Sequence, residues 1–494
     1  MSPNVIAAVF RRACRLGAVT ACGAALSANP SNLAGVFSSA KGGDTIRLAG
    51  GDYGVFRGAQ KSGEVTLEAA PGAAVTMQLR FDPAANITID GVTLTGIEIA
   101  GSATRNITVR NSDIRGQTTL RTGELQDANI LLDHNVHRDW NACPGCGEGR
   151  IWLPESTSRP SGITIRNSEF KGGLSDAIQN GSNGTRILDN VFHDLVQGTA
   201  DGVHTDAIQL YGSSNTLIRG NYFHDVPDAI MAPDGADHEI IEDNVIAADP
   251  GGYPFAITLY SDDGSIIRHN TLPDGACAFN LRCGIVSIGS KDGDDAGHDT
   301  IIADNILGEL SHGEGRATVA ENSHNLYRNH LSGRAGLRGT PRFVGGEHPA
   351  DYDDFALKPG SPGTGSASDG LDRGIRLRER GTPSASARML SSLRSIRATG
   401  RLRVRIVTPA AGRVVVSGRI LPGRPPARYR TRGSRRPVGL RTLSLGELAR
   451  GTHTVTFAVS REARRRLGRA RDARLTMTVA VAGDATSTKL TIRR

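Results

Sequence analysis

At 494 residues the chain is too long for one ordinary compact core. Its 61 glycines and 4% aromatics suit many short strands and turns better than long helices, and no apolar run reaches the length of a membrane-spanning helix. The net charge of +8 hides a split: from Gly381 onward 26 Lys and Arg face 4 Asp and Glu, a surplus of 22, which leaves residues 1–380 at −14. Two domains of opposite electrostatic character follow.

The chain opens with Arg11, Arg12 and Arg15, then Leu16-Gly-Ala-Val-Thr-Ala-Cys22 and small residues to Ala28. A basic region, a short apolar region and a small-residue cleavage site make residues 1–28 an export signal, so a secreted or cell-surface protein is expected. Val19-Thr-Ala-Cys22 also resembles a lipoprotein cleavage box, which leaves lipidation of Cys22 open. Without the leader four cysteines remain: Cys143, Cys146, Cys277 and Cys283. An even count in an exported chain favours disulfides. Stacked strands rise about 4.8 Å per coil, so cross-pairing between the two pairs would exceed the usual Cα separation of about 7 Å. Local staples, Cys277–Cys283 and Cys143–Cys146, are the expectation.

Ser31 to Ala40 reads as a short amphipathic helix suited to capping an open end. Gly43-Asp-Thr-Ile-Arg-Leu-Ala-Gly-Gly-Asp-Tyr53 follows. This opening resembles the first coil of secreted right-handed parallel β-helix proteins, the pectate-lyase-like superfamily, and the resemblance implies that fold for residues 29–376. The body carries its own signal. Asn111, Asn135, Asn167, Asn190, Asn221, Asn244, Asn270 and Asn305 recur at spacings of 24, 32, 23, 31, 23, 26 and 35, each after a short apolar strand. A period in the twenties marks a solenoid whose units bury their apolar faces only against neighbours. Asparagine tolerates a left-handed corner, and stacked amides can bond from coil to coil.

The strand after each asparagine aligns on Ile151, Ile178, Ile208, Ile230, Ile257 and Val286. The insertions 138–149, 194–205 and 273–283 then fall at one corner and build one wall of a cleft. Alternation turns the residues between the aligned ones outward: Glu98, Arg121, Trp152, Gln179, Gln209, Met231, Thr258 and Ser287. Tyr211 and Tyr260 stand two residues further along, with Lys291 nearby. An outward Trp and two Tyr in an aromatic-poor chain suit stacking on sugar rings, so Trp152, Gln179, Gln209, Tyr211, Tyr260 and Lys291 are the candidate substrate-binding residues. Trp152 packed under the 138–149 loop is the plainer account of that residue.

Asp176, Asp206 and Asp228 stand at the strand entrances of three successive coils. Adjacent coils would set carboxylates about 5 Å apart and alternate coils about 10 Å apart, bracketing the two geometries of glycoside hydrolysis. Close like charges push one pKa upward and supply both an acid and a base; His204 can assist. These four are the candidate catalytic residues. The same carboxylates would suit Ca²⁺, and an Asx-turn ladder with no chemistry is the structural alternative. Asp206 and Asp228 resemble the acidic motifs of polygalacturonases in spacing: His204-Thr-Asp206-Ala stands where that family has Asn-Thr-Asp-Gly, and Cys283-Gly-Ile-Val-Ser-Ile-Gly-Ser290 resembles its Gly-His-Gly-x-Ser-Ile-Gly-Ser segment. Asp228 follows Pro227 rather than a second Asp, the motif histidine is missing, and no Arg-Ile-Lys occurs. A lyase would need a Lys or Arg base beside an acidic calcium site; Lys171, Arg219, Arg121 and Lys291 are the available cations, and Asp292-Gly-Asp294-Asp295 is a further oxygen-rich turn.

Asp353-Asp-Phe-Ala-Leu-Lys-Pro-Gly-Ser-Pro362 resembles the closing segment of secreted β-helix proteins. Residues 377–400 form a linker, and residues 401–494 alternate as strands of an Arg-rich antiparallel β-sandwich. Its charge would suit an anionic cell-wall polymer, although 52 of the 58 basic residues being Arg fits a compositional bias. The sequence thus describes an all-β, exported, monomeric polysaccharide-active protein with no nucleic-acid partner. It is a glycoside hydrolase by the aspartate row. The alternatives are a calcium-dependent lyase and a non-catalytic glycan-binding or structural protein.

Overall fold

The computed structural model describes residues 23–140, 149–154, 158–197, 204–247, 255–273, 284–291, 293, 295–313, 315, 317–347, 349–376, 386–389, 393–408, 412–422, 438–448, 451–468, 473–481 and 484–492. The four body cysteines, Asp292 and Asp294 lie outside these residues, and so does most of the leader. The chain divides into two compact units, Met1–Arg376 and Leu377–Arg494.

In the first unit the named strands pair in parallel, each with its counterpart one coil on. A 13-stranded sheet runs from Ala25–Ala28 to Val319–Ser323. Its register stacks Ile165, Ile187, Ile218, Ile241, Ile267 and Ile302 in one column, all fully buried. A second set stacks Ile151, Ile178, Ile208, Ile230, Ile257 and Val286. Between them a third column carries His137, Phe170, Phe192 and Phe223 as stacked rings 4.5, 4.7 and 4.8 Å apart, close to the strand spacing that dictates them. Period-2 alternation in each short strand feeds one continuous interior. The fold is a right-handed parallel β-helix, followed in the second unit by antiparallel sheets.

The asparagine ladder exists, with a shifted rule. Asn190, Asn221, Asn244, Asn270, Asn305 and Asn325 are buried and bond amide to amide up the stack. The left-handed residue is the one before: Asp189, Gly220, Asp243, His269, Asp304 and His324 have φ between 52° and 70°. Asn111 and Asn167 occupy that left-handed position themselves. Ser112 and Ser168 stand in the ladder in their coils, their backbone N–H groups donating to Asn135 Oδ1 and Asn190 Oδ1.

Ala25–Ala28, assigned above to the leader, pairs in register with Thr45–Leu48. The folded body therefore begins no later than Ala25 rather than at Asn29. The helix Leu33–Ser39 buries Leu33 and Phe37 over the first coils, and Phe37 meets Phe56 edge-on at 5.0 Å. At the other end the segment after Thr340 folds back along the coils. Phe343, Tyr352, Phe355, Leu357 and Ile375 form a second apolar cluster with Tyr222, Val245, Ile306 and Leu326. Tyr352 donates to Asp243 O, and Arg376 pairs with the Asp243 carboxylate.

The second unit contains a three-stranded sheet (Ser386–Met389, Arg401–Thr408, Gly451–Ala458) and a four-stranded one (Val438–Leu448, Gly412–Pro422, Ala473–Val481, Asp484–Ile492), all antiparallel. Two helices absent from the sequence reading, Leu393–Thr399 and Arg461–Gly468, accompany them. Ser386–Met389 and the first helix fall within the expected linker, so ordered structure starts earlier there.

Candidate functional site

The strands Val136–Arg138 and Val191–His193 of the aromatic column lead into the chain that precedes Ile151–Leu153 and Asp206–Leu210; the insertions 138–149, 194–205 and 273–283 lie largely outside the described residues. The outward row reads Glu98, Thr119, Trp152, Gln179, Gln209 and Met231. Thr119, not Arg121, is the register partner of Glu98 and Trp152, because Leu120 points inward and Arg121 lies beyond the strand end. Arg121 still reaches the face, its guanidinium 5.7 Å from the Trp152 ring centroid. The row continues to Thr258 and Ser287, which are only 2% and 1% exposed. The accessible part thus ends near Met231.

Trp152 is half-buried, and its Nε1 donates to the Tyr211 hydroxyl at 3.0 Å; that hydroxyl lies 3.1 Å from Leu153 O, to which it donates. Three coils are tied together on one face. Below Trp152 a cleft of about 370 Å³ is lined by Gln78, Glu98, Gln117, Thr119 and Arg121. Gln78, Gln117 and Thr119 were missed in the sequence; period-2 counting from Ile97 and Thr118 would have found Thr119. Tyr260 stands further along, its hydroxyl 3.4 Å from Ser287 Oγ. Lys291 is exposed and bonds Asp234 at 2.8 Å. Of the other cations considered for a lyase, Lys171 pairs with Glu169 on the aromatic column's strand and Arg219 with Glu242 on the 13-stranded sheet. Neither belongs to the Trp152 row.

Asp176, Asp206 and Asp228 do stack, Asp206 opposite Asp228 in register. They are not open to a trough: their exposures are 1%, 0% and 3%. The reason is parity, since each lies two residues before an inward isoleucine and shares its side. Asp176 accepts the Asp206 backbone N–H at 2.7 Å and Gln179 Nε2 at 2.9 Å. His204 Nδ1 lies 3.0 Å from Asp206 Oδ2 and the ring is partly exposed. One Asp228 oxygen meets no donor among the described residues. Burial, followed by repulsion from Asp206, pushes Asp176 and Asp228 well above the usual carboxylate range. Burial raises Asp206 as well, against the pull of His204. The bond to Asp206 raises His204 in turn. Such a cluster holds its protons jointly.

The half-buried Gln179 links the two layers. Its Nε2 donates both to Asp176 and, at 2.9 Å, to Gln209 Oε1. Among the described residues no group of three or more His, Cys, Asp or Glu converges as a metal ion requires.

This architecture has counterparts. Residues 155–329 match the family model described as right handed beta helix region, which covers the coils of the amide ladder. Among solved structures, the chain is similar to a mutant of the PL6-family alginate lyase AlyGC, at 12% identity, 74% of this chain, 60% of that chain and TM-score 0.38. It spans less than two thirds of that lyase's length. It is also similar to the pectate lyase Pel9A (12%, 71% of this chain, 95% of that chain, TM-score 0.35). A third is the Streptococcus pneumoniae surface protein and adhesin PfbA (13%, 63%, 94%, TM-score 0.30). No curated protein matches the chain.

Proposed function

We propose that this chain is an exported, polysaccharide-active β-helix protein that holds a glycan along the Trp152–Tyr260 face and hydrolyses it with the Asp176, Asp206, Asp228 and His204 cluster. One observation carries the reading: an unbroken chain of contacts from Gln209 through Gln179 and Asp176 to Asp206 and His204. It joins a half-buried sugar-sized face to carboxyls that share protons. In this reading a protonated carboxyl supplies the general acid and an ionised neighbour the base, both acting through His204 because none of the three is open to solvent. His204, touching both solvent and Asp206, relays the proton. Trp152 and Tyr211 offer flat apolar bodies with polar edges to sugar rings, and Gln179, Gln209, Tyr260 and Lys291 offer hydroxyl partners. In this reading the basic second unit adheres to an anionic cell-wall polymer and the protein works as a monomer.

The burial of the three carboxyls, with Asp176 spent on a backbone N–H, favours a second reading. Here the aspartates only hold the coil corners, and the face binds glycan without turning it over. Purified protein incubated with a polysaccharide panel, with and without chelator, separates the readings. New reducing ends without an unsaturated uronate chromophore support hydrolysis. A chromophore that vanishes with chelator supports a calcium-dependent lyase, and retention on a glycan without products supports binding alone.

A further inference from the structure

We propose a second ligand site on the first unit, away from the Trp152 face: an oxyanion receptor formed by Arg328, Arg342 and Lys358. It would take a carboxylate or phosphate carried on a sugar-sized body. These cations line a cavity of about 760 Å³ whose wall includes the apolar side chains of Phe343, Phe355 and Pro341. Among the described residues lining it, Glu347 is the one acid. A bare ion would leave most of that volume to water, whereas a ring-sized body can lie on the apolar wall.

Many arginines on the coils are neutralised by a carboxylate, whereas Arg150 and Arg373, like the arginines here, are held by backbone carbonyls. Arg47, Arg80, Arg110, Arg138, Arg166, Arg268 and Arg376 each sit on a carboxylate. Among the described residues, no carboxylate lies within ion-pair distance of Arg328, Arg342 or Lys358. Each guanidinium is instead oriented by a backbone carbonyl, Arg328 by Pro273 O and Arg342 by Gly360 O. That contact aims the group without neutralising it and leaves several of its five N–H donors uncommitted. The backbone N–H of Lys358 donates to Arg342 O at 2.8 Å, so two of the cations ride on paired strands of the closing segment. The third comes from the coil beyond Leu326–Tyr327. Three unneutralised cations held around one hollow, on a body that is net negative, repel each other until an oxyanion joins them.

The test is calorimetric titration of the full chain with trigalacturonate, its neutral methyl ester, and inorganic phosphate. The acid or phosphate should bind at this site, the ester should keep at most the salt-insensitive affinity of the glycan face, and added salt should weaken the acid's binding. The double variant Arg342→Gln/Lys358→Gln alters two exposed side chains and should weaken binding by about tenfold or more. Arg47→Gln, which removes an exposed cation of the first coils that belongs to neither site, should leave it unchanged. Phosphate alone binding assigns a phosphorylated ligand, and the acid alone assigns a uronate. The proposal falls if the ester binds as tightly as the acid, if the double variant binds like wild type, if Arg47→Gln weakens binding as much as the double variant does, or if neither anion binds.

Discussion

The backbone N–H of Asp206 donates to the Asp176 carboxylate at 2.7 Å, across thirty residues of sequence and one coil of the helix. That bond makes Asp176 both a corner support and a direct neighbour of the buried Asp206.

Replacing Asp206 by Asn keeps that backbone donor and removes a buried acid. If the cluster is catalytic, turnover of the responsive polysaccharide should fall by about 10²-fold or more. The melting temperature should hold or rise, because like-charge repulsion is relieved. Unchanged reducing-end production in the variant would remove Asp206 from the mechanism.

Trp152→Ala should weaken glycan binding by about tenfold, the loss of one stacking surface. Affinity electrophoresis through the responsive polysaccharide reads this directly. Migration identical to wild type would show that the ring serves packing and its bond to Tyr211 alone.

Stability should fall as pH rises from mildly acidic to neutral. Burial raises Glu239 from 4.5 to about 7 and Asp262 from 3.8 to about 6. The folded state therefore binds more protons than the unfolded chain. This stability is fully present below the unfolded pKa values and is lost as pH climbs to about 7. Asp133 acts oppositely: lowered from 3.8 to about 2 by His134, Asn167 and Arg166 against its burial, its contribution disappears in strong acid. In Glu239→Gln the amide oxygen can accept the Thr216 N–H while Nε2 donates to Ser213 Oγ, mimicking the protonated acid. Thermal unfolding between pH 4 and pH 8, chosen to span about the affected range, should show a shallower decline for the variant. A slope equal to wild type would contradict the assignment.

Asn221→Ala should cost about 3 kcal/mol or more, since several buried groups lose their partners at about 1–3 kcal/mol each. Asn221 donates to Ile187 O and Asn244 Oδ1 and accepts from the N–H and Nδ2 of Asn190. Denaturant unfolding followed by circular dichroism measures the loss; a change below 1 kcal/mol, well under about the expected cost, would show that the ladder is decorative.

Periodicity carried the solenoid and the register from Ile151 to Val286, while the resemblance of the Gly43–Tyr53 opening implied the parallel β-helix. Each short strand repeats one apolar pattern, and a solenoid has only one way to superimpose such repeats. The same alternation already held the inward parity of Asp176, Asp206 and Asp228, two residues from their isoleucines, but a strand's entrance can turn either way in a sequence. Whether those carboxyls meet solvent and which residue at each corner is left-handed depend on how neighbouring coils crowd each bend. The closing segment's return along the coils and its unpaired Arg342 and Lys358 depend on contacts over more than a hundred residues, such as Arg376 with Asp243. No local pattern encodes a meeting of that range, so only the folded chain could decide it.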